Sequence, residues 1–238
     1  MSIESNERYS VAKRLVAVTL YAVAMGYVES AVVIYIREMA FPDANRVFPL
    51  VYLDPRIGLV ELGREAATII MLISVGYIAG KDRFQKWLFF VYAFAIWDIF
   101  YYIVLKLVVG WPASILSYDV LFLIPVIWIG PVLTPVLISL LLTIGSAFLL
   151  VQSDKSDRVQ ISRNYLLIFV VGCGIVFFSF TQSSFHVLLS QGPKGLDGYT
   201  PQSFDWVAFL IGYFTMCFAV TRMILDSQHR VRMASFDL

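Results

Sequence analysis

The chain has 238 residues, 59 % of them hydrophobic and 15 % charged, with a net charge of +1 and a mean hydropathy of +0.78. That balance excludes a water-soluble domain, and the absence of a basic tract excludes a nucleic-acid partner of the ordinary kind. Apolar runs longer than about 18 residues, separated by short charged connections, predict an all-α polytopic membrane protein, because in lipid the backbone must satisfy its own hydrogen bonds.

Residues 1–14 form a polar N-terminal segment. The first predicted span covers residues 15–36, and its apolar run continues past Ala24, where a signal peptide would end, so it reads as an uncleaved span. Ala22, Gly26 and Ser30 make a ladder of small residues that lets a neighbouring helix approach closely. Glu29 lies beside that ladder, about two-thirds of the way across. After Arg37 and Glu38 comes a long proline-bearing loop, then a second span over residues 57–80. Its opening turns carry Glu61, Arg64 and Glu65 at offsets that place all three on one face.

A tight turn with Lys81, Asp82, Arg83 and Lys86 leads to the third span, residues 87–109. Asp98 falls near its middle and shares a face with Tyr101, Tyr102 and Leu105, with Lys106 two turns beyond. The tyrosine hydroxyls are candidate donors to that carboxylate. Residues 119–151 are apolar almost throughout, and as one helix they would measure about 50 Å against roughly 30 Å of hydrocarbon. Gly130-Pro131 is the expected break, since Pro131 lacks an amide hydrogen. The expectation is therefore a short re-entrant or interfacial outer helix over residues 120–129, N-capped by Asp119, followed by a fourth span over residues 132–151.

The fifth span covers residues 164–189, with Gly172 and Gly174 placed for close packing and a polar string that ends in Gln182, Ser183, Ser184 and His186. The sixth runs from residue 204 to 225 and is opened by Asp205, which leaves residues 226–238 as a polar tail and residues 15–225 as one six-helix transmembrane domain. Cys173 and Cys217 lie inside apolar runs without metal or CxxC spacing and read as small buried hydrophobes.

Orientation follows from the basic residues. The N-terminal segment, the 81–86 turn, the 152–163 loop and the C-terminal tail fall on one side and, with Arg222 at the adjoining end of the sixth span, hold 12 of the 18 Lys and Arg residues. The positive-inside rule places both termini in the cytoplasm and the chain in the cell inner (plasma) membrane. Glu29, Glu61, Glu65, Asp98, Asp119 and His186 then gather toward the outer leaflet, with Arg64 as charge partner among them. Ionisable groups at that depth mark a functional site by default.

Three classes of function follow. In the first, an outward-facing, carboxylate-rich cavity binds an amphiphilic, lipid-like substrate, with Glu65, Asp98 and His186 as candidate acid, base and proton carrier. In the second, Glu29, Glu61, Glu65, Asp98 and His186 hold a divalent metal ion or other cation through hard oxygen ligands and one imidazole. In the third, the chain is an accessory subunit without its own chemistry, seated by its charges against other integral-membrane subunits. The plainer reading of each charge stands beside these: a helix-end ion pair for Glu61, Arg64 and Glu65, an assembly pin for Glu29 and Asp98, a packed polar residue for His186. No HExxH, ExxH, P-loop, GxSxG, GxGxxG or CxxC motif is present.

Overall fold

The computed structural model describes residues 10–40, 47–51, 54–155 and 161–234. Residues 1–9, the loop arginines Arg46 and Arg158, and the tail beyond Ala234 lie outside them. Six helices, α1 (Val11–Ala40), α2 (Pro55–Ala79), α3 (Arg83–Val109), α4 (Leu133–Lys155), α5 (Arg163–Gln191) and α6 (Trp206–Ala234), are each long and apolar enough to cross a membrane. The chain is an all-α polytopic membrane protein. Large apolar side chains such as Leu20, Ile78, Leu107, Ile144 and Phe214 point outward, as lipid-facing residues do.

The helix ends follow local chemistry. Asp54 caps α2 by accepting from the Arg56 amide at 2.8 Å, and Pro55 sits at the first helical position, where its missing N–H costs nothing. Asp82 caps α3 by accepting from the Gln85 amide at 2.9 Å, and the helix stops at Gly110, whose φ of +72° is left-handed. Helix α1 continues past the predicted end at residue 36, which brings Arg37 onto a regular helical face.

Helix α3 is the axis of the bundle. It packs against α1, α2 and α4; α4 passes the contact on to α6, which lies along α5, whereas α1 and α2 touch only sparsely. The small-residue ladder of α1 faces α3: Ala22 and Ser30 are fully buried, and a Cβ added to Gly26 would stand 3.0 Å from the Trp97 carbonyl oxygen. Gly172 crosses α6 at Gly212, each Cα approaching the other's backbone. Gly174 faces open space and takes no part in that crossing.

Between α3 and α4 the expected short helix over residues 120–129 is absent. An antiparallel hairpin stands there instead, β1 (Tyr118–Phe122) with β2 (Trp128–Pro131), pairing Asp119 with Gly130 and Val120 with Ile129. Asp119 is thus a strand residue and not a helix N-cap. The physical reason is local: β-branched and aromatic residues flank a turn around Pro125, and Pro125 and Pro131 both remove helical donors. Trp128 Nε1 closes the turn by donating to the Ile124 carbonyl at 2.9 Å. The hairpin lies against α5, where a Cβ on Gly130 would meet the Phe180 ring at 3.0 Å. Beyond its own ladder, the Leu123 amide donates to Glu65 and the Ile127 carbonyl accepts from the Ser184 hydroxyl, the kind of pairing within protein that irregular chain near membrane depth requires.

The end of the bundle where α1 begins is held by Asp154. It accepts from Lys81 Nζ at 2.8 Å and pairs with Arg14 at 3.3 Å, while Arg14 also donates to the Ala79 carbonyl and to Gln85. The opposite end carries the hairpin, and there Leu50 exchanges backbone hydrogen bonds with Gly198 and Tyr199 in the α5–α6 connection.

Candidate functional site

At the hairpin end, α1, α2, α3 and the hairpin enclose a cavity of about 800 Å3. Helix α1 contributes Glu29, Val33, Ile36 and Arg37, which recur at helical spacing on one face. Helix α2 contributes Gly58, Glu61, Leu62, Arg64, Glu65 and Thr68, and α3 contributes Trp97, Asp98, Tyr101 and Tyr102. The hairpin covers the far side with residues from Asp119 to Leu123 and from Pro125 to Ile127. Sparse contact between α1 and α2 leaves the space, and Glu29 links the two helices through Arg64 and Thr68.

The charges inside form separate partnerships. Arg64 stands between two acids: its Nη1 meets Glu29 Oε1, and its Nε donates to Glu61 Oε2 at 2.8 Å. Thr68 donates to the other Glu29 oxygen at 3.1 Å, tying α2 to α1. Glu65 turns toward the hairpin and accepts the Leu123 amide, 2.9 Å from one oxygen and 3.1 Å from the other. Asp98, buried on α3, accepts from Ser139 Oγ of α4 at 2.8 Å.

The fourth partnership is the most enclosed. Arg37 pairs with Asp119 at 3.2 Å, and Tyr102 donates its hydroxyl to the other Asp119 oxygen, also at 3.2 Å. The guanidinium stacks on Trp111, 3.9 Å from the ring centre. Asp119 is 2 % exposed and Arg37 5 %. Burial pushes the Asp119 carboxyl above the ordinary aspartate range, and Arg37 and the Tyr102 hydroxyl oppose that rise without cancelling it.

Of the residues singled out from sequence, Glu29, Glu61, Arg64, Glu65, Asp98 and Asp119 line this one cavity. His186 does not. It lines a second cavity of about 510 Å3 with Tyr118, Ser179, Gln182, Ser183 and Asp205, beside the hairpin. There Asp205 caps α6, accepting from the Ala208 amide at 2.9 Å and from Gln182 at 3.0 Å, and these donors hold its carboxyl below the usual range. His186 thus lies apart from Glu65 and Asp98, in a different cavity.

The predicted metal set meets the same obstacle. Among the described residues no group of three or more His, Cys, Asp and Glu side chains is arranged to hold a metal ion. Glu29 and Glu61 share Arg64, Glu65 accepts the Leu123 amide and Asp98 the Ser139 hydroxyl, and His186 is in the other cavity. Lys106 is turned away as well, donating to the Gly110 and Pro112 carbonyls beyond the end of α3. Nor does Tyr102 serve Asp98, since its hydroxyl goes to Asp119.

Sequence reasoning passed over Arg37, Thr68 and Ser139. Arg37 was available in the pattern: it falls eight residues after Glu29, close to the same helical face, had α1 been extended. Ser139 carries no such signal, being one hydroxyl in an apolar run.

The fold and the cavity together define a six-span membrane protein with a polar, partly ion-paired chamber at one end. No protein-family model, curated protein or solved structure matches the chain.

Proposed function

We propose that this is an inner-membrane protein, both termini cytoplasmic, whose outward-facing cavity binds an amphiphilic, lipid-like ligand. The observation that carries this reading is the two-sided lining of the cavity: carboxylates and arginines from Glu29 to Asp119 on one part, and Val33, Ile36, Leu59, Leu62, Leu121 and Val126 on another. Its volume is in the range of small-molecule sites. Charged groups kept at such depth are expensive, and a chamber for a polar headgroup offsets that cost in a way that a purely structural bundle does not. The sparse contact between α1 and α2 would let the ligand's apolar part reach the outer leaflet between them.

The test uses two glycines of α2. A Cβ on Gly58 or on Gly63 would meet nothing within 4 Å, but only Gly58 lines the cavity. Gly58→Trp therefore puts an indole into the chamber with nothing within 4 Å of its Cβ, and Gly63→Trp is its control. Native mass spectrometry of gently solubilised protein should show 27.0 kDa or a small multiple plus a discrete lipid adduct, lost in Gly58→Trp and retained in Gly63→Trp. An adduct that survives Gly58→Trp overturns the proposal. So does a parent that carries no lipid and instead brings stoichiometric foreign polypeptides, the result expected of an accessory subunit.

A further inference from the structure

The second cavity, of about 510 Å3, lies between the hairpin, one face of α5 and the segment that leads from Pro201 into α6. Ser179, Gln182, Ser183 and His186 recur at helical spacing on that face. Its lining holds no lysine or arginine. Its one carboxylate, Asp205, already has a donor on each oxygen, the Ala208 backbone amide at 2.9 Å and the Gln182 side-chain amide at 3.0 Å. Among the described residues, the hydroxyls of Tyr118, Ser183 and Ser203 and the imidazole of His186 make no hydrogen bond to the chain. Each of these four groups both donates and accepts. They border one space from three parts of the fold, and a volume of this size is in the range of small-molecule sites.

We infer that this cavity is a second binding site, separate from the chamber, and that its ligand is a neutral sugar. The lining sets the class by what it costs other ligands. An anion meets no lysine or arginine and lies near the Asp205 carboxylate. A cation finds that carboxylate already served by N–H groups on both oxygens. An apolar ligand takes solvent from four polar groups and returns no hydrogen bond, which is costly. A sugar returns several, because each hydroxyl on its ring donates and accepts, and Ile129, Pro201 and Phe204 give its C–H faces apolar surface to rest on. The chamber has a different lining, with carboxylates and guanidiniums in ion pairs, so the two cavities suit different chemistry and the sugar site does not rest on the amphiphile reading.

The test uses full-length protein in an amine-oxide detergent, which has no sugar head to compete. The probes are the methyl glycosides of glucose, galactose, mannose and N-acetylglucosamine, with binding read by saturation-transfer NMR and ranked by titration. At least one is expected to bind saturably, and at least ten-fold more tightly than methyl glucuronide, glucosamine or cyclohexanol, which carry an anion, a cation or a single hydroxyl. Ser183→Val should weaken that binding ~3–10-fold, the worth of one neutral hydrogen bond. Ser183→Thr, of the same shape but with the hydroxyl kept, should retain it. Ser203→Trp, which puts an indole at the lining, should abolish binding, and Gly58→Trp in the chamber should leave it unchanged. Melting temperature, measured for each variant, separates lost recognition from lost folding. The octyl glycoside of the same sugar assigns the source: affinity equal to the methyl glycoside marks a free sugar, and a ten-fold gain that Ser203→Trp removes marks the head of a glycolipid. No saturable binding by any neutral glycoside, equal affinity for a charged or single-hydroxyl probe, or binding indifferent to both Ser203→Trp and Ser183→Val overturns the site.

Discussion

Replacing Arg37 by methionine keeps most of the apolar stem and deletes the guanidinium. Asp119 then remains at 2 % exposure with the Tyr102 hydroxyl as its remaining side-chain donor, and Trp111 loses the cation stacked on it. Removing one partner of a buried pair costs about 3–5 kcal/mol, because the other charge stays behind without compensation. A desolvated cation–π contact is worth about 2 kcal/mol, but it is lost in the same event and is not simply added. An effect of about 4 kcal/mol dominated by the orphaned carboxylate corresponds to a fall in melting temperature on the order of 10 °C at ~2–4 °C per kcal/mol for a chain of this size. The assay is thermal unfolding in one mild detergent at fixed lipid content, since a bound ligand shifts the midpoint by mass action. Adding Asp119→Leu to Arg37→Met removes the stranded charge and should recover most of the loss, as apolar replacements of buried pairs often do. A single variant that melts with the parent, or a double variant no more stable than the single, refutes the reasoning.

Other variants probe the remaining contacts. Glu65→Ala leaves the Leu123 amide without its acceptor and should loosen the hairpin by about 1–3 kcal/mol, seen as faster hydrogen exchange confined to residues near Leu123; unchanged exchange there would dismiss the pin. Gly212→Leu drives a Cβ to 2.8 Å from Val176 and 2.9 Å from the Gly172 carbonyl, and should cost about 1–3 kcal/mol or more by overpacking. Gly174→Ala, which meets nothing, should be neutral or gain about 0.5–1 kcal/mol from helix propensity. Asp205 has a folded carboxyl held below its ordinary range, so its contribution to stability is complete above the ordinary aspartate range and is lost as pH falls through the folded value. Asp205→Ala should flatten that acid limb of a stability-against-pH curve, and an unchanged limb would count against the cap.

The spans were legible because each is a long apolar run bounded by charge, and the acids stood out because they interrupt those runs. Glu29, Asp98 and Glu65 were located from that contrast alone, and the Ala22, Gly26 and Ser30 ladder from its four-residue spacing. The hairpin was not legible, because a short apolar run with prolines has no decisive period, and helix length was judged from hydropathy alone. What pairs with what was also hidden. Asp119 and Arg37 are 82 residues apart, and nothing in either neighbourhood announces the other. The same holds for Asp98 and Ser139, 41 residues apart. His186 was grouped with the acids by depth, which membrane position constrains, but it was separated from them by the lateral arrangement of α5, which hydropathy does not encode.

The most direct measurement of an outward-facing amphiphile chamber is the labelling of Gly58→Cys, in a background with Cys173 and Cys217 replaced by alanine, using a membrane-impermeant maleimide on intact cells. The account predicts labelling from outside, and protection when the purified protein is first loaded with diacyl phospholipid in detergent. Labelling only after the cytoplasmic face is opened, or labelling that bound lipid leaves untouched, contradicts it.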